Sequence, residues 1–170
     1  MTEKQKSALE KILGAIPESS REVIREIAEH AVSLGYMPVL KGASSEYVDF
    51  YKSRVKKLLL KIDTDSMKRT GEPRVAIKFF ACETYSDVFK RAIENRIDLL
   101  MKVHNIKGGC YGCGRCDGTH VYRTLYPDGA ENFLCGNAVI DLPYVNAEIL
   151  PEIKSLLKAQ DDFFMDELKR

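Results

Sequence analysis

No apolar stretch of this sequence approaches the ~18 residues that a membrane-spanning helix requires. The opening residues Thr2-Glu3-Lys4-Gln5-Lys6 are polar and lack the apolar core of a secretory signal peptide. A cytoplasmic protein with no membrane partner is therefore expected. There is no excess of charge of either sign. The formal net charge is +1, so no global field points to nucleic acid or to an acidic partner. Tryptophan is absent and histidine occurs only three times. None of the histidines belongs to an H-E-x-x-H zinc motif, and there is no G-x-S-x-G elbow, Walker loop or Rossmann glycine pattern. No catalytic and no cofactor-binding residue can be assigned on these grounds, and the balance is against an enzyme.

Cysteine is scarce too, but its placement is not random. Of five cysteines, three form the run Cys110-Tyr-Gly-Cys113-Gly-Arg-Cys116, and Cys135 follows about twenty residues on. An odd count disfavours a closed disulfide framework, and thiols stay reduced in the cytoplasm, so the cluster reads as metal or redox chemistry. The fifth, Cys82, closes an apolar run and reads as a buried core thiol.

With 45 % hydrophobic residues the chain can bury a core without help from a metal. Apolar residues recur at helical spacing from Lys4 to Ile16, ending at Pro17. Ser19-Ser20-Arg21-Glu22 matches a capping box ahead of a second helix with Ile24, Ile27, Ala28 and Ala31 on one side and Gly35 as its stop. Tyr47–Tyr51, Lys57–Asp63 and Arg74–Cys82 read as strands of an antiparallel meander. Turns at Lys52–Lys56 and at Thr70-Gly71-Glu72-Pro73 separate them. A second capping box, Thr84 to Asp87, opens a helix with Phe89, Ala92, Ile93, Ile97 and Leu100 inward. Pro151 starts the last helix, whose stripe is Ile153, Leu156, Leu157, Phe164 and Leu168. Asp161 and Asp162 are assigned to its outer face. Strands grouped between helices, not alternating with them, give the fold class α+β: an antiparallel sheet flanked by helices, then a cysteine-rich β-hairpin and a closing helix. The division expected is an α+β body over 1–106, a cysteine-rich metal-binding hairpin over 107–142, and a C-terminal helix over 143–170 packing on the body.

The hairpin is predicted by Tyr126-Pro127-Asp128-Gly129, in which proline presets the turn and glycine supplies its left-handed residue. If Tyr126 faces Ala130, Cys135 pairs with Val121 at the hairpin base, close to where Cys116 leaves the loop. That brings a fourth sulfur to the other three. Gly112, Gly114, Gly118 and Gly136 around them permit the tight turns a metal loop needs. Cys110, Cys113, Cys116 and Cys135 are thus the candidate ligands, with Zn²⁺ the leading metal: four thiolates in a tetrahedron. His120 is the alternative ligand, assigned by period-two alternation to the opposite hairpin face from Cys135. An iron–sulfur cluster on the same cysteines is the competing cofactor, because C-x-x-C-x-x-C is also the core of the ferredoxin run. Free or redox thiols stand third. Four protein ligands leave no open position for substrate, so such a zinc would be structural.

A basic run, Lys52, Arg54, Lys56, Lys57 and Lys61, reads first as a solvated strand edge and second as a phosphate-contacting stripe for nucleic acid. His30 reads as a boundary residue, and His104 as a cation at a helix C-terminus.

Residues 109–136 resemble a zinc ribbon at the C-x-x-C-Gly knuckle Cys110–Gly114, but the second C-x-x-C of a ribbon is missing. The order of elements Ser19–Leu34, Tyr47–Tyr51, Leu58–Asp63, Val75–Phe80 and the helix from Tyr85 resembles bacterial α+β domains of the YdhG-like type. The run from Cys110 through Tyr126-Pro-Asp-Gly129 to Cys135-Gly136 is similar to a cysteine-rich tail of Firmicute proteins. These likenesses imply the fold and a metal-binding tail, and no activity. The expected function is a zinc-stabilised binding or regulatory module for a protein or small-molecule partner. The alternatives are an iron–sulfur electron-transfer or redox protein, and a nucleic-acid-binding module.

Overall fold

The computed structural model describes residues 1–41, 46–104, 120–125, 129 and 131–169. Helix α1 spans Glu3–Ala15 and is closed by a capping box: the Thr2 hydroxyl accepts from the Gln5 amide at 3.3 Å, and the Gln5 side chain accepts from the Thr2 amide at 2.8 Å. Helix α2 spans Glu18–Ser33. The capping box expected at Ser19 is not formed. The helix begins two residues earlier, with Pro17 as its cap, and the Pro17 carbonyl accepts from the amides of Ser20 and Arg21. Proline ends α1 and starts α2 in one step, since its own missing N–H is not needed at a helix start. Gly35, with φ +91°, ends α2 as expected.

The chain then builds an antiparallel sheet in the order β1-β2-β3-β4-β7. Its strands are β1 (Met37–Lys41), β2 (Tyr47–Lys52), β3 (Lys57–Asp63), β4 (Arg74–Ile77) and, much later in the chain, β7 (Ile140–Asp141). Phe50 pairs with Leu60, Ile62 with Val75, and Ile77 with Ile140. Val48, Phe50, Leu60, Ile62, Val75 and Ile77 are buried on one face, and Leu59 and Ala76 are buried on the other, so the middle of the sheet is covered on both sides. A short helix α3 (Met67–Thr70) lies between β3 and β4 and stops at Gly71, φ +76°. The third predicted strand is shorter than expected. The strand ends at Ile77; the Lys78 amide still donates to the Leu59 carbonyl of β3 at 2.9 Å, and Phe79 to Cys82 leave the sheet.

Helix α4 (Asp87–His104) begins at Asp87, so the box proposed from Thr84 does not sit at its start; the Ser86 carbonyl accepts from Phe89 and Lys90 instead. Helix α4 packs against the hairpin and β7. The hairpin is β5 (Val121–Leu125) with β6 (Glu131–Cys135), and Cys135 faces Val121, the register expected from the turn residues. Of that turn, Tyr126, Pro127 and Asp128 lie outside the described residues, while Gly129 has φ +81°. Helix α5 (Leu150–Glu167) packs across α2 and β3. The helices, the sheet and the inner hairpin residues Tyr122 and Leu134 share one core. The fold class is α+β, with five helices and seven strands among the described residues.

Asp161 is a correction. It does not sit on the outer face of α5. It is buried, and its carboxylate accepts from the Lys52 ammonium at 2.6 Å. The spacing explains why: Asp161 follows Leu157 by four residues and precedes Phe164 by three, so it lies on the buried stripe. Asp162 does face outward and pairs with Lys158.

Candidate functional site at the hairpin base

Phe79 and Phe80, just past β4, join the body to the hairpin. Phe79 meets Tyr85, Phe89 and Tyr122 edge-on at centroid distances of 5.1–5.5 Å. Phe80 stacks on His120 at 5.4 Å and packs against Phe163 and Phe164 from α5. Tyr122 adds polar ties. Its hydroxyl accepts from the Phe79 amide at 3.2 Å and donates to the Ala138 carbonyl at 3.1 Å. Full burial drives the Tyr122 phenol far above its ordinary value, so it stays neutral and can donate. The base of the hairpin is therefore held from both sides by side chains that are fixed in place.

At that base the Gly136 amide donates to the His120 carbonyl at 2.8 Å. Cys135, 6 % exposed, lines a cavity of about 80 Å³ together with Lys57, Lys78, Phe80, Asn137 and Phe164. His120 borders it as well. Lys78 is 5 % exposed. Its ammonium feels the positive charge of Lys57 and the thiol of Cys135, and burial pulls its pKa down to about 8, with Lys57 acting in the same direction and Cys135 against. The Lys57 ammonium lies 5.8 Å from the centre of the Phe164 ring.

Of the four cysteines expected to bind metal, Cys135 is described, and Cys110, Cys113 and Cys116 lie outside the described residues. His120, the first described residue after 105–119, precedes Val121, the partner of Cys135. Among the described residues no three His, Cys, Asp or Glu side chains converge as a metal site. His120 has other engagements. Its Nε2 lies 3.2 Å from the Glu167 carboxylate, and its ring is held between Phe80 and Phe163. Cys82 is half-buried beside the Leu156 carbonyl, and burial pushes its thiol up to about 11, which suits a packing role and not a reactive one.

The basic run does not form a continuous stripe. Lys52 is consumed by Asp161 and lies 5.2 Å from the centre of the Tyr36 ring. Lys61 covers the Tyr47 ring at 3.8 Å. Lys57 turns toward Phe164 and the cavity. His30 lies at a boundary as expected, with Nε2 donating to the Lys154 carbonyl at 3.0 Å; the side chain of His104 lies outside what is described.

Lys78 escaped notice in the sequence. The signal was present: a single charge inside the apolar run Val75-Ala-Ile-Lys-Phe-Phe-Ala-Cys82 is either an interruption or a deliberately buried cation.

Compared with known proteins, the chain matches no family model, no curated protein and no solved structure. None of the helices described is long and apolar enough to cross a membrane.

Proposed function

We propose that the protein is a binding or regulatory module whose hairpin is stabilised by one structural Zn²⁺ held by Cys110, Cys113, Cys116 and Cys135. The observation that carries this reading is the β5–β6 register. With Cys135 opposite Val121 and the Gly136 amide on the His120 carbonyl, the fourth sulfur stands at the point where the chain arrives from the other three. The donor set fits zinc: soft thiolates in C-x-x-C steps with one remote partner. The engagement of His120 with Glu167 favours sulfur over imidazole as the fourth ligand.

Bound there, zinc would supply a cross-link between the 110–116 segment and the end of β6. The residues around it divide the work. Gly136 lets the two chain segments approach, Tyr122 ties β5 to the body, and Phe80 closes the base against α5. A tetrathiolate shell leaves no position for substrate, so binding would occur on a neighbouring surface and the zinc would be scaffolding. A cytoplasmic setting accords with this, because the ligand thiols must stay reduced. In this reading residues 107–142 form the metal-binding part on an α+β body, and the helix after residue 143 covers it.

Cysteine-to-serine variants test the ligand set. Cys135→Ser is expected to lose most of the bound zinc, whereas Cys82→Ser keeps it. Full zinc content in Cys135→Ser overturns the assignment. Iron and sulfide at these thiols would instead make the protein an iron–sulfur carrier.

A further inference from the structure

The cavity behind Cys135 has a second property, independent of zinc. Two ammonium groups, Lys57 and Lys78, line a space of about 80 Å³. They come from different elements, the start of β3 and the segment after β4. Among the described residues no carboxylate forms a salt bridge with Lys78, a residue 5 % exposed. The nearby Glu167 is directed to His120. A cation set among apolar side chains is costly to keep charged, and a second cation in the same cavity adds repulsion. An anion between them offsets both costs.

We propose that this cavity binds a small tetrahedral oxyanion, either free phosphate or sulfate or the terminal phosphate of a small metabolite. Lys57 and Lys78 supply the charge, and the Asn137 side chain supplies a neutral donor at the rim. Phe80 and Phe164 form apolar walls that keep water from screening the charges. Size sets the class. The cavity holds a few waters or one tetrahedral ion, and it is too small for a base or a sugar. Two lysines are point charges on stems, suited to a compact ion that makes single contacts, whereas a guanidinium fork would select a planar, two-point ligand. The Gly136 amide is not part of the site, since it is spent on His120.

The test is calorimetric titration of the full-length chain, its metal content measured in parallel, with inorganic phosphate, sulfate and a small phosphate monoester at low ionic strength. Saturable binding is expected. It should weaken at least tenfold in Lys78→Met and in Lys57→Met, while Lys90→Met, at an exposed position on α4, leaves it unchanged. Tighter binding of the monoester than of inorganic phosphate identifies a metabolite headgroup; the reverse order identifies the free ion. Circular dichroism verifies that the variants are folded, and Asn137→Ala, which removes no charge, should weaken binding less. Binding by wild type that survives in both folded lysine variants overturns the proposal. So does wild-type protein that binds none of the three anions, with or without bound zinc. Metal content and anion affinity are separate readouts, so the failure of one leaves the other standing.

Discussion

The Gly136 amide and the His120 carbonyl meet at 2.8 Å, and they do so across a gap that admits no side chain. A Cβ on Gly136 would lie 2.5 Å from the His120 oxygen and 2.9 Å from Cδ1 of Phe80. Neither neighbour can give way easily, one being backbone and the other wedged between His120 and α5. Gly136→Ala is therefore expected to destabilise the protein by about 1–3 kcal/mol, the usual range for over-packing, and to reduce zinc retention. Chemical denaturation with parallel metal analysis checks both. Unchanged stability would mean that the hairpin base is looser than its geometry implies.

Tyr122→Phe removes one oxygen and leaves two backbone partners, the Phe79 amide and the Ala138 carbonyl. Their burial makes the loss expensive: about 1–3 kcal/mol for unsatisfied groups. The ring contacts with Phe79 survive, so the fold should persist and only the unfolding midpoint should fall. A midpoint equal to that of wild type contradicts the role given to the hydroxyl.

Lys52 and Asp161 form an ion pair with side chains 14 % and 9 % exposed. Removing one partner strands the other. Asp161→Ala should cost about 3–5 kcal/mol, while the double variant Lys52→Met with Asp161→Leu should recover most of that loss. Thermal unfolding of the three proteins forms a complete comparison. A double variant no better than the single one would show that the pair is not acting as a unit.

His30 carries a pH prediction. Burial lowers its pKa below the ordinary 6.5, and the positive charge of Lys154 acts the same way, while the Lys154 carbonyl partly opposes them. The unfolded chain then binds the proton more readily than the folded one. The contribution is fully present above about pH 6.5 and is lost as pH falls through the lower folded value. His30→Gln should remove that part of the acid sensitivity. Denaturation at about pH 7.5 and about pH 5.5 reads it; equal acid sensitivity in the two proteins counts against it.

Much of this molecule was readable from residue order. The four long helices announced themselves by apolar spacing, and β2 and β3 by their aromatic and aliphatic runs. The hairpin register followed from a four-residue turn whose proline and glycine leave little choice. What escaped has a common physical cause. β7 is two residues long and exists because β4 offers it an edge, so no local pattern marks it. β1 contains Pro38, which weakens a strand signal and is tolerated because β1 lies at the sheet edge. The Ser19 box gave way to a Pro17 cap two residues earlier, the scale on which helix starts are decided by neighbouring turns. Asp161 was misjudged because its charge outweighed its position between Leu157 and Phe164. Lys52, its partner, comes from the end of β2, 109 residues away in the chain, and no local rule pairs residues so distant. At the candidate site, Cys135 and His120 could be named from spacing, but Lys78 and Lys57 meet only through tertiary packing.

The most direct test of the central claim is elemental analysis of the purified full-length protein. One zinc per chain, in colourless protein, is the predicted result. Iron with sulfide in a brown protein, or no bound metal at all, would contradict it.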